Sequence, residues 1–177
     1  MTFSFEKAAP NEFESIRAFY WDLIDSMRQD GKGDNIGWKK GIYPTDEFLK
    51  DSLADGTLFT LKDENELCGC VILNSMTNEG YNGIKWSKAL ADSEILIPHA
   101  LAVTPHRQGQ GIGKCFMAKI FDFARESGKK AMRLDILATN TAAEKLYTSV
   151  GFRFVETKEL FYEDTGLTEY KMFELDL

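Results

Sequence analysis

The chain has 177 residues, a length that suits one domain spanning 1–177 and leaves enough buried surface for a real core. Its 28 acidic side chains outnumber 21 basic ones, and the net charge of −7 discounts DNA or RNA as a partner, because neutralising phosphates calls for a basic surface. Three cysteines make no secreted disulfide framework, no apolar run reaches membrane-spanning length, and the residues before Pro10 lack a basic-then-apolar leader, so a cytoplasmic protein without membrane contact is expected.

Residues 2–8 alternate with Phe3 and Phe5 on one side and predict a first strand. Pro10 then opens a helix whose apolar face is Phe13, Ile16, Tyr20, Leu23, Ile24 and Met27, and Gly31 and Gly33 end it. The segment 34–43, with Trp38, Lys39, Lys40 and Tyr43, has neither helical nor strand period. Thr45 caps a short helix over 46–54. A hairpin pairs 57–61 with 67–74 across a polar turn; Cys68 and Cys70 alternate within it and are expected on one face as small hydrophobes. Residues 75–93 read as a loop.

An apolar run over 95–103 predicts a buried strand, broken by Thr104 and Pro105 and followed by Gly109, Gly111 and Gly113. An amphipathic helix follows over 112–127. Strand, glycine turn and helix start, in that order, build an anion site: glycine permits close approach, and the first helical N–H groups point outward unpaired. Residues 132–137 make another strand, Thr139 or Asn140 caps a helix ending at Gly151, and strands over 152–160 and 168–175 finish the chain. The sum is a mixed α/β fold, a sheet of about seven strands with four helices.

Spacing excludes two phosphate motifs. A Walker A loop fails because Gln108 stands where its first glycine belongs and Cys115 follows Lys114; a dinucleotide fingerprint fails because Lys114 replaces its third glycine. What remains, Gln108-Gly109-Gln110-Gly111-Ile112-Gly113 after Leu101-Ala102-Val103, fits Q/R-x-x-G-x-G/A and resembles the acyl-CoA pyrophosphate loop of the GNAT superfamily of N-acetyltransferases. A second stretch, Asn140 to Phe152, reads N-x-x-A-x-x-L-Y-x-x-x-G-F and resembles that family's C-terminal motif. On a helix Asn140, Ala143 and Tyr147 share one face, while Ala142, Leu146 and Val150 form a stripe expected against the sheet.

The resemblance implies a mostly antiparallel GNAT sheet splayed between its fourth and fifth strands, a place where Pro98 fits because it has no N–H to give a ladder. It implies acetyl-CoA as cofactor: backbone of Leu101, Ala102 and Val103 on the pantetheine, and N–H groups from Gln108 through Gly109, Gln110, Gly111, Ile112 and Gly113 to Lys114 on the pyrophosphate. It implies Asn140 and Ala143 beside the cofactor arm and Tyr147 as proton donor to the departing thiolate. The family's strand glutamate is matched here by Ile97, and His99, which resembles a strand histidine of the arylalkylamine N-acetyltransferases, is either the base or a packed strand histidine bonded to backbone, with Glu94 or water as the alternative base. A histidine base predicts a rise of kcat/KM with pH near roughly 6–7.5. Tyr20, Trp38, Tyr43 and Trp86, in the least regular segments, are the candidates for the acceptor pocket. The expected activity is acetyl transfer to a primary amine, on a small molecule or a peptide N-terminus; the competing reading is a non-catalytic acyl-CoA sensor. No metal site has ligand spacing, and a homodimer is compatible with the chain.

Overall fold

A computed structural model of the chain describes residues 3–31, 33–107 and 109–177. Seven strands form one sheet in the order β1-β2-β3-β4-β5-β7-β6, with β1 Phe3–Lys7, β2 Leu58–Asp63, β3 Glu66–Asn74, β4 Ile95–Val103, β5 Ala131–Leu137, β6 Arg153–Tyr162 and β7 Gly166–Asp176. Every neighbouring pair is antiparallel except β4 and β5. A parallel pair needs a crossover, and α4 (Ile112–Glu126) supplies it.

The other helices are α1 (Phe13–Gln29), α2 (Gly33–Ile36), α3 (Asp46–Ala54) and α5 (Thr141–Ser149). The single turn α2 lies in the segment read as aperiodic, so Gly33 opens a helix rather than closing one. Its four residues are too few to show a period. Among the described residues, no helix is long and apolar enough to cross a membrane.

Three apolar clusters cover the sheet. Ile112, Phe116, Met117, Ile120 and Ala124 of α4 are buried against β2, β3 and β5, joined by Tyr147 and Phe152. Each such large side chain contributes about 1.5–3 kcal/mol on leaving water. On the opposite face α1 and α3 pack Ile16, Tyr20, Leu49 and Leu53 onto Leu58, Cys70, Ile72 and Ala102. Tyr81, Ile84 and Leu160 close the third cluster over Ile97, Tyr170 and Met172.

Two irregularities in strand pairing matter. On β3, Leu61 faces Gly69 and Lys62 faces Leu67, leaving Cys68 as an extra residue in a bulge. The bulge reverses the alternation, so Cys68 packs with the α4 cluster and Cys70 with the α1 cluster, on opposite faces rather than one. On β4 a register shift falls opposite Val71, between the pairs Cys70↔Ala102 and Ile72↔His99, and Ala100 there takes φ +49°. Beyond Ile95↔Ala131 and Leu96↔Met132, β4 and β5 part company. Pro98 stands just past the last of these pairs. The splay opens a cleft of about 650 Å³ through the sheet.

Candidate active site

At one end of the cleft, Gly109, Gly111, Ile112, Gly113 and Lys114 line the wall. Gly111 is the N-cap of α4 in the left-handed region at φ +79°, and no side chain caps that helix. This sets α4 apart from α3, capped by Thr45 Oγ1 accepting from Phe48 N, and α5, capped by Asn140 Oδ1 accepting from Ala143 N. The first N–H groups of α4 therefore open into the cleft at the positive end of its dipole. A Cβ added at Gly109 or Gly111 would meet nothing within 4 Å, so the small side chain there leaves open space for a ligand. Gln110 is exposed and outside the lining, and Gln108 lies outside the described residues.

The next part of the wall is β4 from Ile97 to Val103 facing α5. Leu101, Ala102 and Val103 are beyond the last β4–β5 pair, so their edge toward β5 carries no ladder. Asn140, Ala143 and Tyr147 line the same stretch, as do Ala142 and Leu146. The expected face of α5 thus lines the cleft, with Tyr147, the buried residue of the helix, edge-on to Phe152 at a centroid distance of 5.3 Å, but Ala142 and Leu146, expected against the sheet, border the cleft as well. Phe152, just past the glycine that ends α5, draws the phenol inward. Burial, with the charge of Asp135 second, pushes the Tyr147 phenol well above its ordinary value and keeps it protonated.

His99 lines the cleft, edge-on to Phe48. Asn74 Oδ1 accepts from Met76 N at 2.9 Å and lies 2.9 Å from His99 Nε2, which places the ring proton on Nε2. Burial pushes the imidazole down from 6.5 to about 4, against a smaller opposing contribution from the Met76 backbone. This lies below the range near 6–7.5 expected of a histidine base. At pH 7 a group with that pKa is protonated in roughly one molecule in a thousand. Glu94 is not in the cleft: it closes the turn Asp92–Glu94, accepting from Ala91 N at 2.9 Å, and pairs with Lys130. The Lys130 hydrogen bond, more than the one from Ala91, holds its carboxyl below the ordinary value.

Of the four aromatic candidates for the acceptor, the structure brings two together. Trp38 and Tyr43 line the far end of the cleft with centroids 5.8 Å apart. Tyr20 is buried behind them, and its hydroxyl donates to the Ala100 carbonyl at 2.7 Å, so it holds the β4 bulge rather than facing the cleft. Trp86 is elsewhere, 4.5 Å under the Arg133 guanidinium, which pairs with Glu174 at 3.0 Å. The charge that attracts this indole is internal to the fold.

The sequence reading missed Asp135, Tyr162, Asp164 and Tyr170, which also line this far end. They come from β5, β6, the following turn and β7, and no motif spacing links them. Burial pushes both carboxyls up from their ordinary values and Tyr170 up to about 12. A single signal was available: an aspartate within the short strand Met132 to Leu137, whose one other charged residue is Arg133. The cleft is thereby polarised, with helix N–H groups, Lys114 and Arg107 at one end and two carboxyls among aromatic rings at the other. Arg107 is anchored by Asp63 at 2.8 Å and Glu66 at 3.1 Å. Among the described residues, no group of three or more His, Cys, Asp or Glu could hold a metal.

Residues 16–152 match the model of the acetyltransferase (GNAT) family. Streptothricin acetyltransferase of Streptomyces lavendulae is 31% identical over 173 residues, covering 93% of this chain and 89% of that protein. The N-alpha-acetyltransferase RimI of Mycobacterium tuberculosis is 36% identical over 74 residues, 42% of this chain; the chain spans 45% of that relative's length, and about half or less of several others it matches. The fold superposes on yncA of Salmonella typhimurium, a putative acetyltransferase solved with its cofactor acetyl-CoA, with a TM-score of 0.71 at 18% identity over 100% of this chain and 95% of that one.

Proposed function

The chain belongs to the GNAT acetyltransferase family, and from that membership we propose that it transfers an acetyl group from acetyl-CoA to a primary amine by direct attack. The observation that carries this reading is the open, uncapped N-terminus of α4 leading into the same cleft as the unladdered edge of β4. One binds an anion; the other offers backbone hydrogen bonds along an extended arm. The continuous sheet from Phe3 to Asp176 supports reading 1–177 as one acetyltransferase domain; placing it in the cytoplasm, as a monomer or a homodimer, is part of the same proposal.

When bound, acetyl-CoA supplies a thioester whose carbonyl is open to nucleophiles. The N–H groups of Gly109, Gln110, Gly111, Ile112, Gly113 and Lys114 would hold the pyrophosphate, and Gln108, outside the described residues, belongs to the same loop in sequence. Backbone of Leu101, Ala102 and Val103 holds the arm and steadies charge on the carbonyl oxygen. Asn140 and Ala143 border the arm, and Tyr147, kept protonated by burial, gives its proton to the departing sulfur. His99 is neutral and so free to accept a proton, but burial makes it a weaker base than a solvated imidazole, while Glu94 is paired with Lys130 outside the cleft. Trp38 and Tyr43 wall the acceptor.

The test has two stages. Acetyl-CoA at about 100 times its Kd adds roughly 2.7 kcal/mol of stability, a rise in Tm of about 5–10 °C for a chain this long. Thiol release is then followed over a panel of amines led by streptothricin and a peptide with a free N-terminus, the acceptors suggested by the names of two relatives. Stabilisation without thiol release from any acceptor favours the sensor reading; no stabilisation defeats both.

A further inference from the structure

The cleft contains a carboxylate that this transfer scheme does not use. Asp135 stands on β5 beyond Met132, where β4 has turned away, and faces the cleft while β7 pairs along its other edge at Met172. Two phenols donate to the same oxygen: Tyr81 Oη at 2.6 Å and Tyr162 Oη at 3.0 Å to Oδ1. The other titratable groups around it are Tyr43, Asp164 and Tyr170 at the far end of the cleft and Tyr147 across it. Each of these is a phenol or an acid; Lys39 donates to the Asp164 backbone carbonyl at 2.6 Å, and no ion pair among the described residues joins Asp135 to it or to another cation. A carboxylate withdrawn from water wants a charged partner as well as hydrogen bonds, and this one has only the latter.

The space before it is walled by Trp38, Tyr43, Tyr162 and Tyr170, whose ring faces favour a cation. A primary ammonium brings both missing things, a positive charge and N–H donors for Oδ2. We propose that Asp135 receives the acceptor as an ammonium ion and takes its proton, so that the neutral amine is released next to the open edge of β4. The second half of this rests on the acetyltransferase reading; the first does not.

The step balances. One N–H bond of the ammonium breaks and an O–H bond forms on Asp135. The freed lone pair makes the C–N bond to the thioester carbonyl, the C–S bond breaks, and sulfur leaves with the proton of Tyr147. The second amine proton returns to Tyr147 as the amide forms, and Asp135 passes its own proton to water. Burial raises the Asp135 carboxyl above its ordinary value, against the two phenol hydrogen bonds, which makes it a better proton acceptor than a solvated aspartate.

The experiment compares benzylammonium with benzyl alcohol, a neutral probe of the same shape, by calorimetry on the full chain at pH 7.5. Wild type prefers the ammonium by about tenfold or more, as charge-assisted hydrogen bonding predicts. Asp135→Asn removes the preference while keeping the acetyl-CoA thermal shift, which shows that the cleft is still folded. Tyr162→Phe deletes a hydrogen bond that favours the carboxylate, so the preference fades at a higher pH than in wild type as the solution is acidified. Wild type without the preference, Asp135→Asn with it, or a Tyr162→Phe profile that does not move overturns the assignment. With an acceptor that is turned over, Asp135→Asn lowers kcat/KM about 10²–10⁴-fold; a smaller loss removes the proton-taking role. If acetyl-CoA neither stabilises wild type nor is consumed, the transfer reading fails, and the ammonium preference still judges Asp135.

Discussion

At the α4 end of the cleft the binding groups are backbone N–H groups, delivered by one run of chain from Leu101 to Lys114 that turns sharply at Gly109 and Gly111. At the far end they are side chains, Trp38, Tyr43, Asp135, Tyr162, Asp164 and Tyr170, delivered by separate elements that meet only in the fold. The first end needs a backbone shape and tolerates many side chains; the second needs particular side chains and tolerates many backbones. On the proposed reading, donor recognition is built into the element order, while acceptor recognition is carried by packing. Substitutions in the two ends should fail differently: at the first by losing acetyl-CoA, at the second by losing turnover or acceptor affinity with acetyl-CoA retained.

Tyr147, where the ends meet, gives the largest expected effect. Tyr147→Phe keeps the ring against Phe152 and removes only the hydroxyl, so kcat falls about 10²–10⁴-fold with acetyl-CoA affinity almost unchanged. Single-turnover kinetics with a matched thermal shift reads both. A variant that keeps its turnover makes the phenol a packing group and moves the boundary between the ends.

Gly111→Val comes next. The residue caps α4 at φ +79°, where a β-branched side chain is strained, and the new methyls occupy the open space proposed to receive phosphate. Acetyl-CoA affinity drops at least about a hundredfold, which cuts the roughly 2.7 kcal/mol stabilisation expected at 100 times Kd to about 0.4 kcal/mol or less. At Gly113 an added Cβ would stand 3.3 Å from the Leu146 side chain, a neighbour able to shift by tenths of an ångström, so Gly113→Ala is the milder control. Equal losses at both positions would mean that the first turn of α4 as a whole, rather than the open space at Gly111, decides the affinity.

His99 sharpens the comparison through pH. Its pKa in the fold, about 4, lies below the ordinary 6.5, so its neutral form contributes stability that is fully present above pH 6.5 and lost as pH falls toward 4. By pH 5 that loss is about 2 kcal/mol. Glu12 and Glu94, held down by Lys62 and Lys130, add their own losses only below their ordinary value of 4.5, so the two windows separate. Urea melts of wild type and His99→Gln at pH 7 and 5 measure it; a variant as acid-sensitive as wild type contradicts the buried, neutral imidazole.

These contrasts explain what the sequence made legible. The strand 95–103, the helix beginning at Ile112 and the Asn140 cap follow from local periodicity, glycine placement and capping chemistry, and each forms where those forces put it. The bulge at Cys68 did not follow, because one inserted residue is invisible to an alternating pattern unless the partner strand is known. Asp135 was illegible for a related reason: what makes it unusual is the pair of phenols from Tyr81 and Tyr162, both remote in sequence. Tyr20 and Trp86 were assigned to the acceptor because they are aromatic and lie in or near irregular segments, a criterion that cannot distinguish a ring facing a ligand from one clamping a carbonyl or an internal guanidinium.

The two tryptophans give the finest test. Trp38 borders the cleft beside Tyr43, whereas Trp86 covers the Arg133–Glu174 pair on another part of the sheet. A cation–π contact is worth about 0.5–2 kcal/mol depending on its desolvation, and phenylalanine preserves a weaker version of it. Trp38→Phe should therefore raise the KM for a cationic acceptor several-fold, about 3–10-fold, with little change in kcat or in acetyl-CoA affinity. Trp86→Phe should leave all three kinetic quantities alone and lower the unfolding free energy by about 0.5–1 kcal/mol, because the guanidinium above it stays fixed by Glu174 and by the Lys88 carbonyl. Steady-state kinetics with the best acceptor of the amine panel, together with urea melts, separates the variants. A higher acceptor KM in Trp86→Phe would extend the acceptor end across the third apolar cluster. A Trp38→Phe variant that loses stability but not affinity would instead leave recognition to Asp135 and the tyrosines, with the indole serving only to close the fold around Tyr20.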